Sequence, residues 1–333
     1  MKRPRILSGM RPTGPLHLGN YMGALDNWVG LQDRYECFFS VVDWHSLTTD
    51  YANPGDVRGN VIEVATDWLA AGLDPLRSTL FIQSLVPQHA ELHLLLSMIV
   101  PVPWLERVPT YKEQQQNLSG KDLSTYGFLG YPLLQTADII VYKADAVPVG
   151  EDQAPHIEIA REIVRRFNNL YGEVFPEPKT LLTEAKRIPG TDGRKMSKSY
   201  GSAIFLKDDA ASVRQKLRPM VTDPARKRRT DPGNPELCPV FDLHEAFSPP
   251  ETLAWAAEGC RTAGIGCLDC KATLADHLLE KLASIHALRP ELAKRPDTVW
   301  DILHQGSKKA REAAEATMDE VREAMKIRYD GKQ

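Results

Sequence analysis

A chain of 333 residues, 42% hydrophobic and 26% charged, can bury a sizeable core and has the composition of a soluble globular protein with room for two domains. Its net charge of -3 gives no overall attraction to nucleic acid, so any RNA site has to be a local basic patch. The first residues are charged and proline-bearing, without an apolar stretch of signal length, and no run approaches the roughly 18 apolar residues of a membrane span; the expectation is a cytoplasmic protein.

In chain order, Arg5 to Ser8 is a short apolar run ending at Gly9 and predicts a strand, while Tyr21 to Val29 sets Met22, Leu25, Trp28 and Val29 at helical spacing. The turn between them holds Thr13-Gly14-Pro15-Leu16-His17-Leu18-Gly19-Asn20. Gly14 and Gly19 let the backbone approach a ligand, the next helix aims unpaired N–H groups at it, and His17 and Asn20 add donors, a combination suited to phosphate. Further strands are expected at Cys37 to Asp43, Thr79 to Ser84 and Ala146 to Val149, with helices over Val57 to Leu69 and Glu158 to Phe167. This alternation predicts an α/β fold, a Rossmann-like doubly wound parallel sheet, in which Gly9, Asp43, Gln83 and Gly150 gather at the carboxyl ends of the strands. Gly190-Thr191-Asp192-Gly193 then leads into Lys195-Met196-Ser197-Lys198-Ser199, two lysines flanking hydroxyls, which suits a loop that closes over a polyphosphate. From about Ser202 strand signals vanish. Ala211 to Leu217, Asp276 to Leu288 and Ser307 to Met325 read as helices, the last capped by Ser307, so the expected division is a catalytic domain over 1–200 and a C-terminal α-helical domain over 201–333.

His17-Leu18-Gly19-Asn20 and the Lys195 to Ser199 run, in this order and separation, resemble the two signature motifs of class I aminoacyl-tRNA synthetases. Tyr131-Pro132-Leu133-Leu134-Gln135-Thr136-Ala137-Asp138-Ile139-Ile140 and Val147-Pro148-Val149-Gly150-Glu151-Asp152-Gln153, with His156 following, resemble the tryptophanyl-tRNA synthetase family. Val41-Val42-Asp43-Trp44-His45 and Phe81-Ile82-Gln83-Ser84 match it too, so the resemblance runs nearly end to end. It implies that the carboxylate of L-tryptophan attacks the α-phosphorus of ATP, pyrophosphate leaves with Mg²⁺, and the adenylate esterifies the 3′ end of tRNA(Trp). It also implies a homodimer.

By that resemblance His17 and Asn20 meet ATP phosphate, and Arg11 and Thr13, with Pro12 and Gly19 in the same turn, meet the nucleotide and the reacting centre. Gly150, Glu151 and Asp152 take ribose and adenine; Ile188 and Met196 join the ATP site; Lys195 and Lys198, assisted by Ser197 and Ser199, take the leaving pyrophosphate. Asp138 lies on a largely apolar helix and its carboxylate needs a donor, which the resemblance identifies as the indole N–H. Tyr131 and Gln153 would hold the amino group, with Gln135 and His45 in the pocket; for His45 a satisfied core histidine is the other reading. Two departures stand out: Arg11 replaces a glutamine common in the family, and Gln135 replaces an apolar methionine and must either hydrogen-bond or turn away. Lys112 and Lys121 either reach phosphate or tRNA or are solvated.

Cys238, Cys260, Cys267 and Cys270 form C-x21-C-x6-C-x2-C, whereas Cys37 stands alone in an expected buried strand. Four clustered cysteines in a reducing compartment suggest one metal site. Structural zinc is usually built from two close pairs, and only Cys267 and Cys270 make one; iron–sulfur clusters tolerate looser spacing. The arrangement resembles a subset of tryptophanyl-tRNA synthetases with a 4Fe-4S cluster, so such a cluster is expected as a structural clamp, zinc being the alternative. Next to it, Arg226-Lys227-Arg228-Arg229 is either solvated charge or, as the resemblance implies, a set of tRNA phosphate contacts. His89 and His93 lack the glutamate placement of a zinc protease and are assigned to packing near a subunit interface. Competing readings are a tyrosyl-tRNA synthetase-like ligase, a small-molecule nucleotidylyltransferase and a non-enzymatic iron–sulfur redox sensor. Amino-acid-dependent pyrophosphate exchange separates all of these.

Overall fold

The computed structural model describes residues 3–109, 111, 122–182 and 188–329, without the side chains of Asp152 and Ser199. Among them five parallel strands, β1 (Arg5–Met10), β2 (Glu36–Val41), β3 (Ser78–Ile82), β4 (Ala146–Val149) and β5 (Lys179–Leu182), lie in the order β3-β2-β1-β4-β5. The order reverses at β1, so a crevice opens beyond the carboxyl ends of β1 and β4. Strands β1, β2 and β3 are buried on both faces, which is why their sequences are apolar runs rather than alternations. On one face Ile6, Phe39 and Leu80 pack with Trp28 and Trp68, the Trp28 ring stacked on Phe39 at 4.7 Å. On the other, Leu7, Phe38 and Phe81 pack with Ile140, Tyr142 and Phe167. β5 was not expected from the sequence: it is a four-residue edge strand whose residues are half-buried or exposed, so it has no core-facing apolar run to announce it.

After β1 the chain enters α1 (Leu18–Asn20) and passes through a π-turn at Tyr21–Leu25 into α2 (Asp26–Leu31). Then come α3 (Asp43–Asp50), α4 (Val57–Ala71), α5 (Gln88–Ser97), α6 (Val102–Glu106), α7 (Tyr126–Leu129), α8 (Tyr131–Ile140) and α9 (Ala154–Tyr171). Asp56 caps α4 by accepting from the Gly59 amide, and Gly72 ends it at φ +109°, a conformation that favours glycine. The C-terminal part holds α10 (Ala210–Leu217), α11 (Pro239–Phe247), α12 (Pro250–Arg261), α13 (Cys267–Lys281), α14 (Ala283–Ala293) and α15 (Pro296–Ala324).

Two helix expectations need correction. The stretch Asp276 to Leu288 is broken at Leu282, where α13 ends and α14 begins. Ser307 is not a cap: α15 starts at Pro296, with proline at its first position and Asp297 in the first turn, and Ser307 is buried in its middle. There its hydroxyl donates to the Leu303 carbonyl at 2.7 Å and accepts from the Ile82 amide of edge strand β3 at 3.2 Å. Neighbouring Gly306 permits this approach, since a Cβ there would lie 1.8 Å from the Leu80 carbonyl oxygen. α15 thus covers the sheet edge, α14 packs on α4, and Ala310, Ala314 and Met318 join the core of Leu7 and Phe81. No described helix is long and apolar enough to cross a membrane.

Candidate active site

His17 is the N-cap of α1. Its Nδ1 accepts from the Asn20 amide and Asn20 Oδ1 accepts from the His17 amide, both at 3.2 Å, so the cap locks both side chains. With Nδ1 accepting, the ring hydrogen sits on Nε2. Burial, and then the nearby Lys198 charge, push the His17 pKa down to about 4, so at neutral pH the ring is an uncharged donor. The turn is held from below by Asp67, fully buried, whose Oδ2 accepts the Leu16 amide at 2.7 Å and whose Oδ1 accepts Arg289 Nε at 2.5 Å. It is held from the side by a strand-like pairing: Leu18 N–H donates to the Ile204 carbonyl at 3.0 Å and Leu206 N–H to the Leu16 carbonyl at 2.9 Å.

The lysine loop is a tight return in which Met196 N–H donates to the Ile188 carbonyl at 3.0 Å and Gly190 N–H to the Arg194 carbonyl at 2.7 Å. Gly193, at φ +81°, makes the bend, and a Cβ there would sit 2.9 Å from Val221. Ile188 and Met196 are buried anchors, which leaves Lys195 exposed and Ser197 half-buried. Lys198 reaches across to the histidine turn: its Nζ donates to Thr13 Oγ1 at 3.1 Å and to the Gly14 carbonyl at 2.9 Å. Gly14 adopts φ +100° at that point. Burial pushes the Lys198 pKa down to about 8. Two segments more than 180 residues apart therefore form one structure.

Beside this junction, at the carboxyl ends of β1 and β4, opens a cavity of about 620 Å³. Gly9, Arg11, His45, Tyr131 and Gln135 line it, as do Asp138, Gly150 and Gln153. Arg11 also bonds Thr49 Oγ1 at 3.4 Å, Pro12 is buried behind the turn, and Gln135 faces the cavity rather than turning away. His17, Gly19, Asn20 and Lys198 are not among the residues that line it. Glu151, next to cavity-lining Gly150, lines a second groove with Arg107 and Pro155. The side chains of Asp152 and Ser199, and Lys112 and Lys121 entirely, lie outside the described residues.

Asp138 is 3% exposed and lines the cavity. Its Oδ1 meets His89 Nδ1 at 2.6 Å, its Oδ2 meets His45 Nε2 at 2.9 Å, and Gln83 Nε2 donates to both oxygens at 2.8 Å. Burial opposes its ionisation, but His89 and His45 outweigh that and hold the carboxyl well below the usual range, as an anion. The donors that a buried carboxylate demands are thus supplied within the chain. His89 was expected to pack near an interface; instead it is fully buried behind Asp138, with Nε2 2.7 Å from the Tyr142 hydroxyl. Nothing in the spacing marked His89 or Tyr142, because they meet Asp138 through the fold alone.

In the C-terminal part Cys238, Cys260, Cys267 and Cys270 are free and half-buried, while Cys37 is buried in β2. Burial, and then the neighbouring Cys238, Cys260 and Cys267, push the Cys270 thiol up to about 12, so the four sulfurs share one neighbourhood. Cys270 Sγ lies 3.3 Å from His244 Nε2. Among the described residues no group of three or more His, Cys, Asp or Glu side chains is arranged to hold a metal ion. The donor chemistry nevertheless suits a thiophilic metal: four reduced thiols, a cationic neighbour, and Gly233, where a Cβ would lie 2.7 Å from Cys260 Sγ. That cation is Arg226, which corrects its assignment to a surface patch. It is 9% exposed, its Nη1 lies 3.8 Å from Cys260 Sγ, and its Nη2 donates to the Ile265 and Arg229 carbonyls. Lys227, Arg228 and Arg229 do face solvent.

The family model described as tRNA synthetases class I (W and Y) matches residues 1–283. The chain belongs to that family. It is 54% identical over 327 residues to the tryptophan–tRNA ligase of Thermotoga maritima, covering 98% of this chain and 100% of that one. To the tryptophan–tRNA ligase of Ralstonia nicotianae it is 47% identical, covering 98% of this chain and 99% of the relative. Among solved structures, the tryptophanyl-tRNA synthetase of Campylobacter jejuni complexed with ADP and tryptophan superimposes with a TM-score of 0.86 at 31% identity, over 97% of this chain and 99% of that one. The five-strand parallel sheet with its helical C-terminal region is therefore the class I synthetase fold.

Proposed function

We propose that the protein is a tryptophan–tRNA ligase, which activates L-tryptophan with ATP and transfers it to tRNA(Trp). The observation that carries this reading is the Lys198 contact with Thr13 and Gly14, next along the chain to cavity-lining Arg11, together with the ionised Asp138 that lines the same cavity. Such chemistry uses no protein nucleophile; positioning and charge do the work. His17 Nε2–H and Asn20 meet the triphosphate, Lys195 and Lys198 balance charge on the departing Mg²⁺-pyrophosphate with help from Ser197 and Ser199, and Arg11 faces the reacting phosphorus. Gly150, Glu151 and Asp152 accommodate ribose and adenine. At the other end Asp138 accepts the indole N–H, Tyr131 and Gln153 hold the amino group, and Gln135 and His45 shape the wall. Pyrophosphate exchange with each of the twenty amino acids tests the assignment. Tryptophan alone should support exchange; exchange with tyrosine, or none with any amino acid, overturns it.

Cys238, Cys260, Cys267 and Cys270 are the proposed ligands of a 4Fe-4S cluster, with zinc as the alternative. Their shared neighbourhood, the small Gly233 beside Cys260 and the buried Arg226 charge support this reading. The group would supply a covalent tie between α11, α12 and α13 and no step of the activation chemistry. Iron and sulfide analysis of anaerobically purified protein tests it: stoichiometric iron with visible charge-transfer absorption supports the cluster, zinc without either supports the alternative. Exposed Lys227, Arg228 and Arg229 are the proposed tRNA contacts. A second copy of the chain is the proposed partner for Leu94, Met98 and Val102, apolar side chains exposed on α5, the turn after it and α6. The proposed compartment is the cytoplasm.

A further inference from the structure

We propose that His89, braced by Tyr142, is the positioning residue that fixes Asp138 as a one-way acceptor and thereby sets selectivity for an aromatic ring that carries an N–H. This rests on the reading that Asp138 receives the indole N–H. His89 and Tyr142 are both 0% exposed and absent from the cavity wall, so they act on a ligand only through Asp138.

The direction of the hydrogen bonds follows from the buried partners. Burial pushes the Tyr142 hydroxyl well above its ordinary pKa, so it keeps its proton and donates to His89 Nε2 at 2.7 Å. The remaining hydrogen of a neutral imidazole is then on Nδ1, which donates to Asp138 Oδ1 at 2.6 Å. Each bond polarises the next toward the carboxylate. The His89 ring cannot swing away, being packed against Phe81 and Tyr142 with centroids 6.1 and 5.4 Å distant.

A carboxylate offers about four acceptor directions. His89 takes one direction of Oδ1, the Gln83 amide bridges both oxygens, and His45, a cavity residue, meets Oδ2, so of the two oxygens Oδ2 is the one turned toward the cavity. With Oδ1 fastened from behind, the group can neither rotate nor take up a proton and so cannot become a donor. A ring edge bearing N–H is satisfied there, and one bearing only C–H or sulfur leaves an anion short of a partner.

The test compares tryptophan with 3-benzothienylalanine, in which sulfur replaces the ring N–H, in pyrophosphate exchange. The readout is the ratio of the two kcat/KM values, with the KM for ATP as a control. His89→Phe should lower the ratio by about 10- to 100-fold, the weight of one hydrogen bond to a charged group, chiefly through the KM for tryptophan. Two polar variants protect the test against misfolding. The Asn amide reaches the place of Nδ1, so His89→Asn should keep most of the ratio; the Gln amide reaches the place of Nε2, so His89→Gln should lose it. Asn and Gln behaving alike, or both substrates falling equally, overturns the role of His89 and leaves only a packing residue. Asp138→Asn separates the two levels: a ratio that collapses there but survives in His89→Phe sinks His89 alone, whereas an unchanged ratio in Asp138→Asn sinks the indole reading as well.

Discussion

Arg289→Met is the perturbation that most directly probes how the histidine turn, the proposed phosphate site, is held. Arg289 is 8% exposed; its Nε bonds Asp67 at 2.5 Å and its Nη2 bonds Glu63 at 2.8 Å. Methionine keeps much of the apolar stem and removes the charge, so fully buried Asp67 is left with the Leu16 amide alone. Breaking one side of a buried ion pair costs about 3–5 kcal/mol. Unfolding entropy of roughly 2.1 cal/mol/K per residue gives about 0.7 kcal/mol/K for a chain of this length, so the expected fall in Tm is about 4–7 °C. The pH dependence carries a sign. Burial pushes the Asp67 carboxyl above its ordinary 3.8, and the Arg289 charge and Leu16 amide pull it back. Without Arg289 the folded pKa rises further, the folded state binds more protons than the unfolded between the two pKa values, and stability falls as pH rises through that window. The deficit should therefore be small near pH 4 and full at pH 7.5, and Asp67→Asn in the same background should recover part of it. Thermal melts at several pH values measure this. A variant within about 1 °C of the parent at pH 7.5, or a deficit that deepens on acidification, refutes the reasoning.

Three further outcomes follow from the geometry. Gly306→Ala should lower Tm although alanine favours helix by about 1 kcal/mol, because its Cβ meets the Leu80 backbone at 1.8 Å; a stabilised variant would contradict the contact. ATP affinity should fall as pH rises above about 8, where Lys198 loses its charge in the nucleotide-free protein, by at most about tenfold per pH unit, and Lys198→Arg should flatten the profile; an equally steep fall in that variant contradicts the assignment. Replacing Lys227, Arg228 and Arg229 by alanine should weaken tRNA binding and reduce its salt dependence, whereas Arg226→Ala should lower Tm and leave the salt slope intact; the reverse pattern would show that the buried arginine has been misplaced.

The parallel sheet, and the histidine turn and lysine loop that meet beside it, were legible in the sequence because each is written locally. Apolar runs bounded by turn residues mark strands buried on both faces, and glycine-rich turns before a helix mark a phosphate site whatever surrounds them. What was illegible is written across the fold. β5 offered no apolar run, and Ser307 looked like a cap because serine before an alanine-rich stretch usually is one. Only the approach of β3 to Gly306 shows that the serine hydroxyl bridges to an edge strand. Arg226 belonged to a basic run, and the run could not reveal that its first member turns inward to Cys260. At the candidate site, the need of Asp138 for a donor was readable from its apolar helix, but the donors come from α3, α5 and the segment after β3, at separations no spacing rule covers.

The two ends of the site rest on different buried polar supports. The histidine turn, the proposed phosphate end, is fixed by Asp67 and Arg289, which tie it to α4 and α14, while Asp138, the proposed amino-acid end, is fixed by His89, Tyr142 and Gln83 on the opposite core of the sheet. Apolar packing tolerates small shifts, but a buried carboxylate deprived of one donor does not, so each support holds its own end to within a hydrogen bond's tolerance. The supports share no residue and lie on opposite faces of one rigid sheet, and their effects should therefore add. Arg289→Met should raise the KM for ATP and leave the tryptophan-to-benzothienylalanine ratio alone, and His89→Phe should do the converse. In the double variant the two losses should multiply; a combined loss well short of that product would mean that the nucleotide and amino-acid ends are coupled through the sheet.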